Sequence, residues 1–342
     1  MLIDVDTTTR FAGWLSKRFG TDVKVAAAAT PSTGGGWSNQ TVILDLARLG
    51  RVVVRLQPDG PSMFRTYELA REYTILEALS ALGRPKVPKP LAIDRHGAIA
   101  GRPLFVMSYV PGRIPSDDRP SFAEAGWLFD APFEDQRTFY ISLLAAITDV
   151  HAIDWRPALA CLVRATGNPL QAEIHWLRQL HLWGAGTERH PTIERGFERI
   201  LRTMPAPSDA CLLWGDARPA NVVETEFRPA ALLDWELATI GPAELDIAWF
   251  LEMNRMRTTG AGVAPLPGFL PDDETVACYQ RLSGRTLTDL GWYRRYAALK
   301  MAVLMERHLR VAIARGALRQ GHRLLKDNVA LRRVEALLAE AK

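Results

Sequence analysis

The chain has 342 residues, 48% of them hydrophobic and 23% charged, which excludes a disordered polymer and is more than one simple core requires. Its formal net charge of +4 is too small to imply nucleic-acid binding. No apolar run approaches the ~20 residues of a membrane helix. The N-terminus MLIDVDTTTR lacks the features of a signal peptide, and the scattered Cys161, Cys211 and Cys278 show no metal spacing. The expectation is a cytoplasmic protein, monomer or homodimer, without nucleic-acid or membrane partners.

In chain order, residues 7–19 read as an amphipathic helix, with Phe11, Trp14, Leu15 and Phe19 on one side. TGGGWSNQ (33–40) is a glycine-rich turn, followed by the β-rich runs TVILDL (41–46) and RVVVRL (51–56), which form a hairpin. Leu69, Tyr73, Leu76 and Leu79 recur at helical spacing within 67–82. Two more strands are expected over 87–93 and 103–110, and Pro111-Gly112 breaks the chain. Beyond Phe133 the periodicity becomes helical, over 134–153, 169–182, 191–203, 242–254, 271–283 and, with breaks, 289–340. One stretch, 211–238, reads instead as short strands bracketing a polar loop. The class is therefore α+β: a small β-rich N-lobe, 1–108, and a larger, mainly helical C-lobe, 109–342, with a cleft between them.

The segments that carry chemistry are WGDARPAN (214–221) and LLDWE (232–236). Asp216 and Asn221 stand five residues apart, and Asp234 follows thirteen residues later at the end of an apolar run. Taken singly, each is an ordinary turn or cap residue. As a set they match the needs of phosphoryl transfer: one carboxylate to orient an attacking hydroxyl, and oxygen ligands for magnesium. Asp216 fits the first role; Asn221 and Asp234 fit the second. Arg218, inside the loop, fits either a phosphate contact or neutralisation of Asp216, and a solvent-facing role suits it equally.

These segments resemble the aminoglycoside phosphotransferase and choline kinase-like superfamily, whose catalytic loop reads HGD-x4-N and is followed by a DWE or DxD metal motif. The likeness is closest to the branch associated with acyl-CoA dehydrogenases, where DWELAxxGxPxxDLA parallels DWELATIGPAELDIA here. It runs from GGGWSN to the helices after Asp246. The resemblance implies a two-lobed protein-kinase-like fold and transfer of the γ-phosphate of ATP, with Mg2+, to a hydroxyl of a small molecule. It makes Asp216 the catalytic base and Asn221 and Asp234 the metal ligands, with Glu236 assisting through water. It places Gly36, Ser38 and Asn39 over the phosphates. Arg55 takes the position of the kinase lysine, paired with Glu72, and Met107, Ser108, Tyr109 and Val110 form the adenine hinge. His151 and Asp246 become scaffold residues. The family histidine is Trp214 here, so restoring His should leave activity equal or higher.

Two other readings stand beside this one: an aminoglycoside-type antibiotic kinase, and a nucleotide-binding pseudokinase, which only Trp214 favours. A protein kinase is disfavoured, because just seven residues separate Asp234 from Pro242 and no APE-like motif follows. For the acceptor, residues 297–342 hold ten basic side chains against four acidic ones. That excess, together with the dehydrogenase-associated branch, points to an anionic acceptor such as a hydroxyacyl-CoA, with salt-sensitive activity. A solvated helix face explains the same charges equally well.

Overall fold

The computed structural model describes residues 5–29, 39–66, 68–164, 167–206 and 209–340. Helix α1 (Val5–Phe19) precedes strands β1 (Val25–Ala29), β2 (Gln40–Leu46) and β3 (Gly50–Leu56). Helix α2 (Leu69–Leu82), β4 (Pro90–Asp94) and β5 (Leu104–Ser108) complete the first lobe. Its five strands form one antiparallel sheet in the order β1-β2-β3-β5-β4.

The period-two pattern of β2 and β3 decides which way this sheet faces. Val42 pairs with Val54 and Leu44 with Val52, and all four are buried with Phe11 and Leu15 of α1. Arg55 lies one residue out of phase and therefore projects from the opposite face. On that face α2 packs through Leu69, Tyr73, Leu76 and Leu79, with Tyr73 edge-on to Phe105 at 5.9 Å between ring centres. Gly83, in the left-handed region at φ 72°, closes α2 by donating its N–H to Leu79 O.

The second lobe is mainly helical. It contains α3 (Phe133–His151), the short α4 (Arg156–Leu159), α5 (Pro169–Ala185) and α6 (Pro191–Arg202). Four short strands follow: β6 (Ala210–Leu213), β7 (Val222–Thr225), β8 (Arg228–Leu232) and β9 (Thr239–Pro242). Then come α7 (Glu244–Arg257), α8 (Asp272–Ser283), α9 (Leu290–Ala314) and α10 (Val329–Ala339). Helix α9 is buried along much of its length and packs against α5, α6, α7 and α10. Strands β6 and β9 pair, as do β7 and β8, and these two ribbons present the polar loops of the site.

Between the lobes the chain passes Gly112, whose φ of 149° and closeness to the carbonyl oxygen of Glu224 leave no room for a Cβ. There Arg113 and Glu224 exchange backbone hydrogen bonds of 3.0 and 2.8 Å. No described helix is long and apolar enough to cross a membrane.

Candidate active site

The two lobes enclose a cleft of about 520 Å³. Its floor is the loop 214–221 between β6 and β7, and the frame beneath that loop comes from α7. Asp246 accepts hydrogen bonds from the backbone N–H groups of Trp214 (2.7 Å) and Gly215 (2.9 Å). Its carboxylate also lies 3.2 Å from His151 Nε2, and His151 Nδ1 is 2.7 Å from the Tyr279 hydroxyl. His151 and Asp246 are both buried, so they act as struts inside the lobe. Gly215 is required here: its φ is 85°, and a Cβ would collide with the carbonyl of Leu237. Trp214, where the resemblance expects histidine, is fully buried against Trp235 and donates its indole N–H to Leu233 O at 2.8 Å. The indole thereby ties the loop to the segment that carries Asp234.

Asp216 points into the cleft with its carboxylate held on both oxygens. Oδ1 accepts from the Trp249 indole N–H at 2.8 Å; Oδ2 accepts from Asn221 Nδ2 at 2.7 Å and from Arg218 Nε at 2.9 Å. Burial, followed by the nearby charge of Asp234, pushes its pKa up to about 6. Arg218 also pairs with Asp117, which accepts a second bond from Arg257 at 3.0 Å. Burial brings the Arg218 guanidinium down to about 10. Lys300 of α9, itself buried, donates to Gly215 O at 3.0 Å and sits 4.8 Å from the Trp249 ring centre.

Asp234 follows β8 with φ 59°, a left-handed turn that swings its carboxylate toward the first lobe. The backbone N–H of Leu233 donates to Asn221 O at 2.8 Å, which fixes the spacing between these two loops. Across the cleft, Arg55 Nη2 lies 3.4 Å from Asp234, 3.6 Å from Glu72 and 4.0 Å from Glu236. Asn39 Nδ2 donates to Glu236 Oε2 at 3.3 Å. Burial outweighs the attraction of Arg55 and raises the Glu72 carboxyl to about 7. Met107, Ser108, Tyr109 and Val110 line the cleft at the junction of the lobes.

The candidate site residues named from the sequence thus gather at one cleft, apart from Gly36 and Ser38, which fall outside the described residues. Four further contributors carry no signal in the sequence: Trp249, Lys300, Asp117 and Arg71. Arg71 donates to Glu236 O at 3.4 Å and Ala238 O at 2.5 Å, tying α2 to the Asp234 loop. Only their distant elements bring them here, and no local motif marks them.

The donor set suits a magnesium–nucleotide complex. No group of three or more His, Cys, Asp or Glu among the described residues is arranged to hold a metal by itself. Magnesium bound through phosphates and water needs only one or two protein oxygens. Asn221 commits its amide nitrogen to Asp216, which leaves its amide oxygen as a ligand next to Asp234. Burial raises Asp216 most, and the repulsion from Asp234 that adds to it is what a cation between these groups would offset.

A two-lobed fold with this loop arrangement defines a kinase-like phosphotransferase. The phosphotransferase enzyme family known as APH matches residues 32–284, and the chain belongs to that family. Acyl-CoA dehydrogenase family member 11 of Rattus norvegicus is 28% identical over 235 residues, 67% of this chain and 28% of the relative. The chain therefore spans less than a third of that relative's length. Among solved structures, a putative aminoglycoside phosphotransferase from Ralstonia eutropha superposes with a TM-score of 0.69 at 20% identity, covering 98% of this chain and 99% of the other. A thermostable mutant of the aminoglycoside phosphotransferase APH(4)-Ia, solved with ADP and hygromycin B, gives 0.60 at 14% identity over 96% and 98%. These likenesses establish the fold.

Proposed function

We propose that this chain transfers the γ-phosphate of ATP, with Mg2+, to a hydroxyl group of a small molecule. One observation carries the reading: Asp216, Asn221 and Asp234 converge on the floor of a cleft whose opposite wall holds Arg55 and Glu72. In this reading residues 1–108 hold the nucleotide, and 109–342 supply the catalytic loop and the acceptor site. Met107 to Val110 bound the adenine end, and Asn39 and Arg55 face the phosphates. Bound magnesium would neutralise charge on the phosphate oxygens from its place on Asn221 and Asp234.

The protein's own part is positioning and proton transfer. Asp216 Oδ accepts the hydroxyl proton as the acceptor oxygen bonds to the γ-phosphorus and the bond from that phosphorus to the β-γ bridging oxygen breaks. Trp249 and Asn221 fix the plane of that carboxylate, so little reorganisation is needed on the way to the transition state. Arg218, close to both Asp216 and Asp117, is placed to exchange one of these acids for a phosphate oxygen. The indole of Trp214 packs and hydrogen-bonds behind the loop, the scaffold role that the resemblance gives the family histidine, and this supports the active kinase over a pseudokinase.

The acceptor in this reading is a hydroxylated anion with an apolar body, for which a hydroxyacyl-CoA is the candidate. Support comes from the dehydrogenase relatives and from the wall beyond Asp216, which is built of Met253, Met256, Met301 and Leu304 with Arg257 at its edge. A polycationic antibiotic would meet Arg218 and Arg257 there, both held on Asp117, with Asp118 as the neighbouring exposed acid. The test is direct: incubate the protein with Mg-ATP and either a hydroxyacyl-CoA panel or kanamycin-like compounds, and follow ADP and phosphorylated product. Turnover of the aminoglycosides alone would refute the anionic acceptor; turnover of nothing in a wide hydroxyl panel, without ATP binding, would refute the kinase reading.

A further inference from the structure

Behind the apolar wall of the cleft lies a second cavity of about 160 Å³, between α7, α9 and α10. Among the described residues, only Met256 and Met301 line both spaces. They are 9% and 6% exposed, so they form a closed partition rather than a rim. Methionine side chains are unbranched and turn about three bonds, so such a partition can part by rotamer changes while the helices stay in place.

The chemistry of the second cavity restricts what it can hold. Ala298, Val329, Ala330 and Ala336 give it an apolar body, and Arg255, Arg332 and Arg333 stand around it. Its buried acid, Glu252, is already taken: Oε1 accepts from Arg294 at 2.6 Å and Arg333 at 2.9 Å, and Oε2 accepts from Arg333 at 2.7 Å. Arg332 at the exposed rim pairs with Asp327 at 2.8 Å. An aliphatic chain can fill the space among the alanines and Val329 and release water there, with the exposed Arg255 and Arg332 left on the solvent side.

We propose that this cavity is the subsite for an aliphatic chain of the acceptor. The hydroxyl-bearing carbon stands at Asp216, and the chain passes between Met256 and Met301 into the space beside α10. The placement rests on Asp216 being the group that meets the acceptor hydroxyl; the cavity's affinity for a chain does not depend on phosphoryl transfer. Chain length is then read by the cavity, separately from the chemistry at the loop.

The experiment uses the whole chain and two kinds of probe. Octanoate, which has no hydroxyl, is titrated calorimetrically into the wild type and Ala336→Trp, with Ala336→Leu as a milder filler. Ala336 is an exposed position on α10 that borders the second cavity and not the cleft, so the fold should tolerate both. Octanoate should bind the wild type, and the tryptophan should weaken it roughly tenfold, the cost of leaving about two methylenes in water. The preference in kcat/KM for 3-hydroxyoctanoate over 3-hydroxybutanoate should fall by a similar factor. Failure of octanoate to bind the wild type, or equal binding by wild type and both variants, overturns the subsite and marks the cavity as a packing defect. If octanoate binding is lost in Ala336→Trp while neither hydroxy acid is phosphorylated by the wild type, the subsite stands and the phosphotransfer reading fails for these acceptors.

Discussion

Asp216 accepts three side-chain hydrogen bonds before any substrate arrives, from Trp249, Asn221 and Arg218. Asp216→Asn keeps the shape but loses the proton acceptor. It should retain the fold and nucleotide affinity while turnover falls ~10²–10⁴-fold. A variant that turns over a confirmed acceptor at the wild-type rate would remove Asp216 from the chemistry. The raised pKa adds a second signature. A base must be ionised to act, so turnover should decline as pH drops through about 6 and level off above it. A kcat/KM–pH profile, which reports the free enzyme, reads this limb. Asp234→Ala should abolish the magnesium-dependent part of ATP binding, measured by calorimetry with and without the metal; unchanged metal dependence would move the site toward Glu236. Trp214 adds a stability term to the expectation, drawn from the family loop, that restoring histidine leaves activity equal or higher. Restoring histidine looks beneficial in sequence, but the indole is fully buried against Trp235 and bonded to Leu233 O. A smaller ring leaves a void, so Trp214→His should cost ~2 kcal/mol of stability in a denaturant titration.

Helix α2 shows how an element joins the two halves of the site. Glu72 meets Arg55 on the face of the sheet that α2 covers, while its neighbour Arg71 reaches the carbonyls of Glu236 and Ala238 on the other side of the cleft. Burial raises the Glu72 carboxyl from its ordinary 4.5 to about 7. The folded state therefore binds the proton more tightly than the unfolded state does. This contribution to stability is complete below about 4.5 and is lost as pH rises through about 7. Glu72→Gln cannot titrate, so the melting temperature of the wild type relative to this variant should be higher at about pH 5 than at about pH 8. Equal differences at both would show that the carboxyl is not shifted. The elements differ in how far the sequence reveals them. Strands β2 and β3 are legible because alternation alone places Val42, Leu44, Val52 and Val54 on one face. The loop 214–221 is legible because its residues act within a few positions of one another. Strand β1 is not: Val25–Ala29 is mostly alanine, a poor strand former, and takes its conformation from pairing with β2 at the sheet edge. The ends of helices shift as well. Expected over 242–254, α7 runs from Glu244 to Arg257, because Thr239–Pro242 are drawn into β9 by pairing with β6. Trp249 reaches Asp216, and Lys300 reaches Gly215 O and the Trp249 ring, only through the packing of distant helices, a relation no short window of sequence contains.

At the scale of the molecule, the basic excess of residues 297–342 is divided: Lys300, Arg307, Arg310 and Arg333 are wholly or partly buried, whereas Arg315, Arg319, Arg323, Lys326 and Arg332 are exposed. Lys300 bonds Gly215 O, Arg310 bonds Glu306 and Glu188 O, Arg332 pairs with Asp327, and Arg333 pairs with Glu252. The exposed five keep a positive face at this end of the chain, open to screening by salt, while the buried ones are committed to the fold. Two of the arginines reach the other lobe. Arg307 donates to Ser62 O at 2.9 and 2.5 Å and stacks 4.2 Å from the Trp183 ring centre; Arg315 donates to Pro61 O at 3.1 and 2.7 Å. Both acceptors lie in the connection between β3 and α2, so α9 clasps the segment that leads into the helix carrying Glu72. Hydrogen bonds from a charged donor contribute ~1.5–3 kcal/mol each, and part of that is lost at Arg315, which is solvent-exposed. The double variant Arg307→Ala/Arg315→Ala should lower the melting temperature by about 2–6 °C, with amide exchange accelerating in residues 57–66. Arg332→Ala provides the comparison: it removes an exposed pair on α10, worth at most ~1 kcal/mol, and should leave exchange in residues 57–66 unchanged. If the double variant melts and exchanges as Arg332→Ala does, the two arginines are surface charges like any other, and the lobes are held by the sheet and α2 alone.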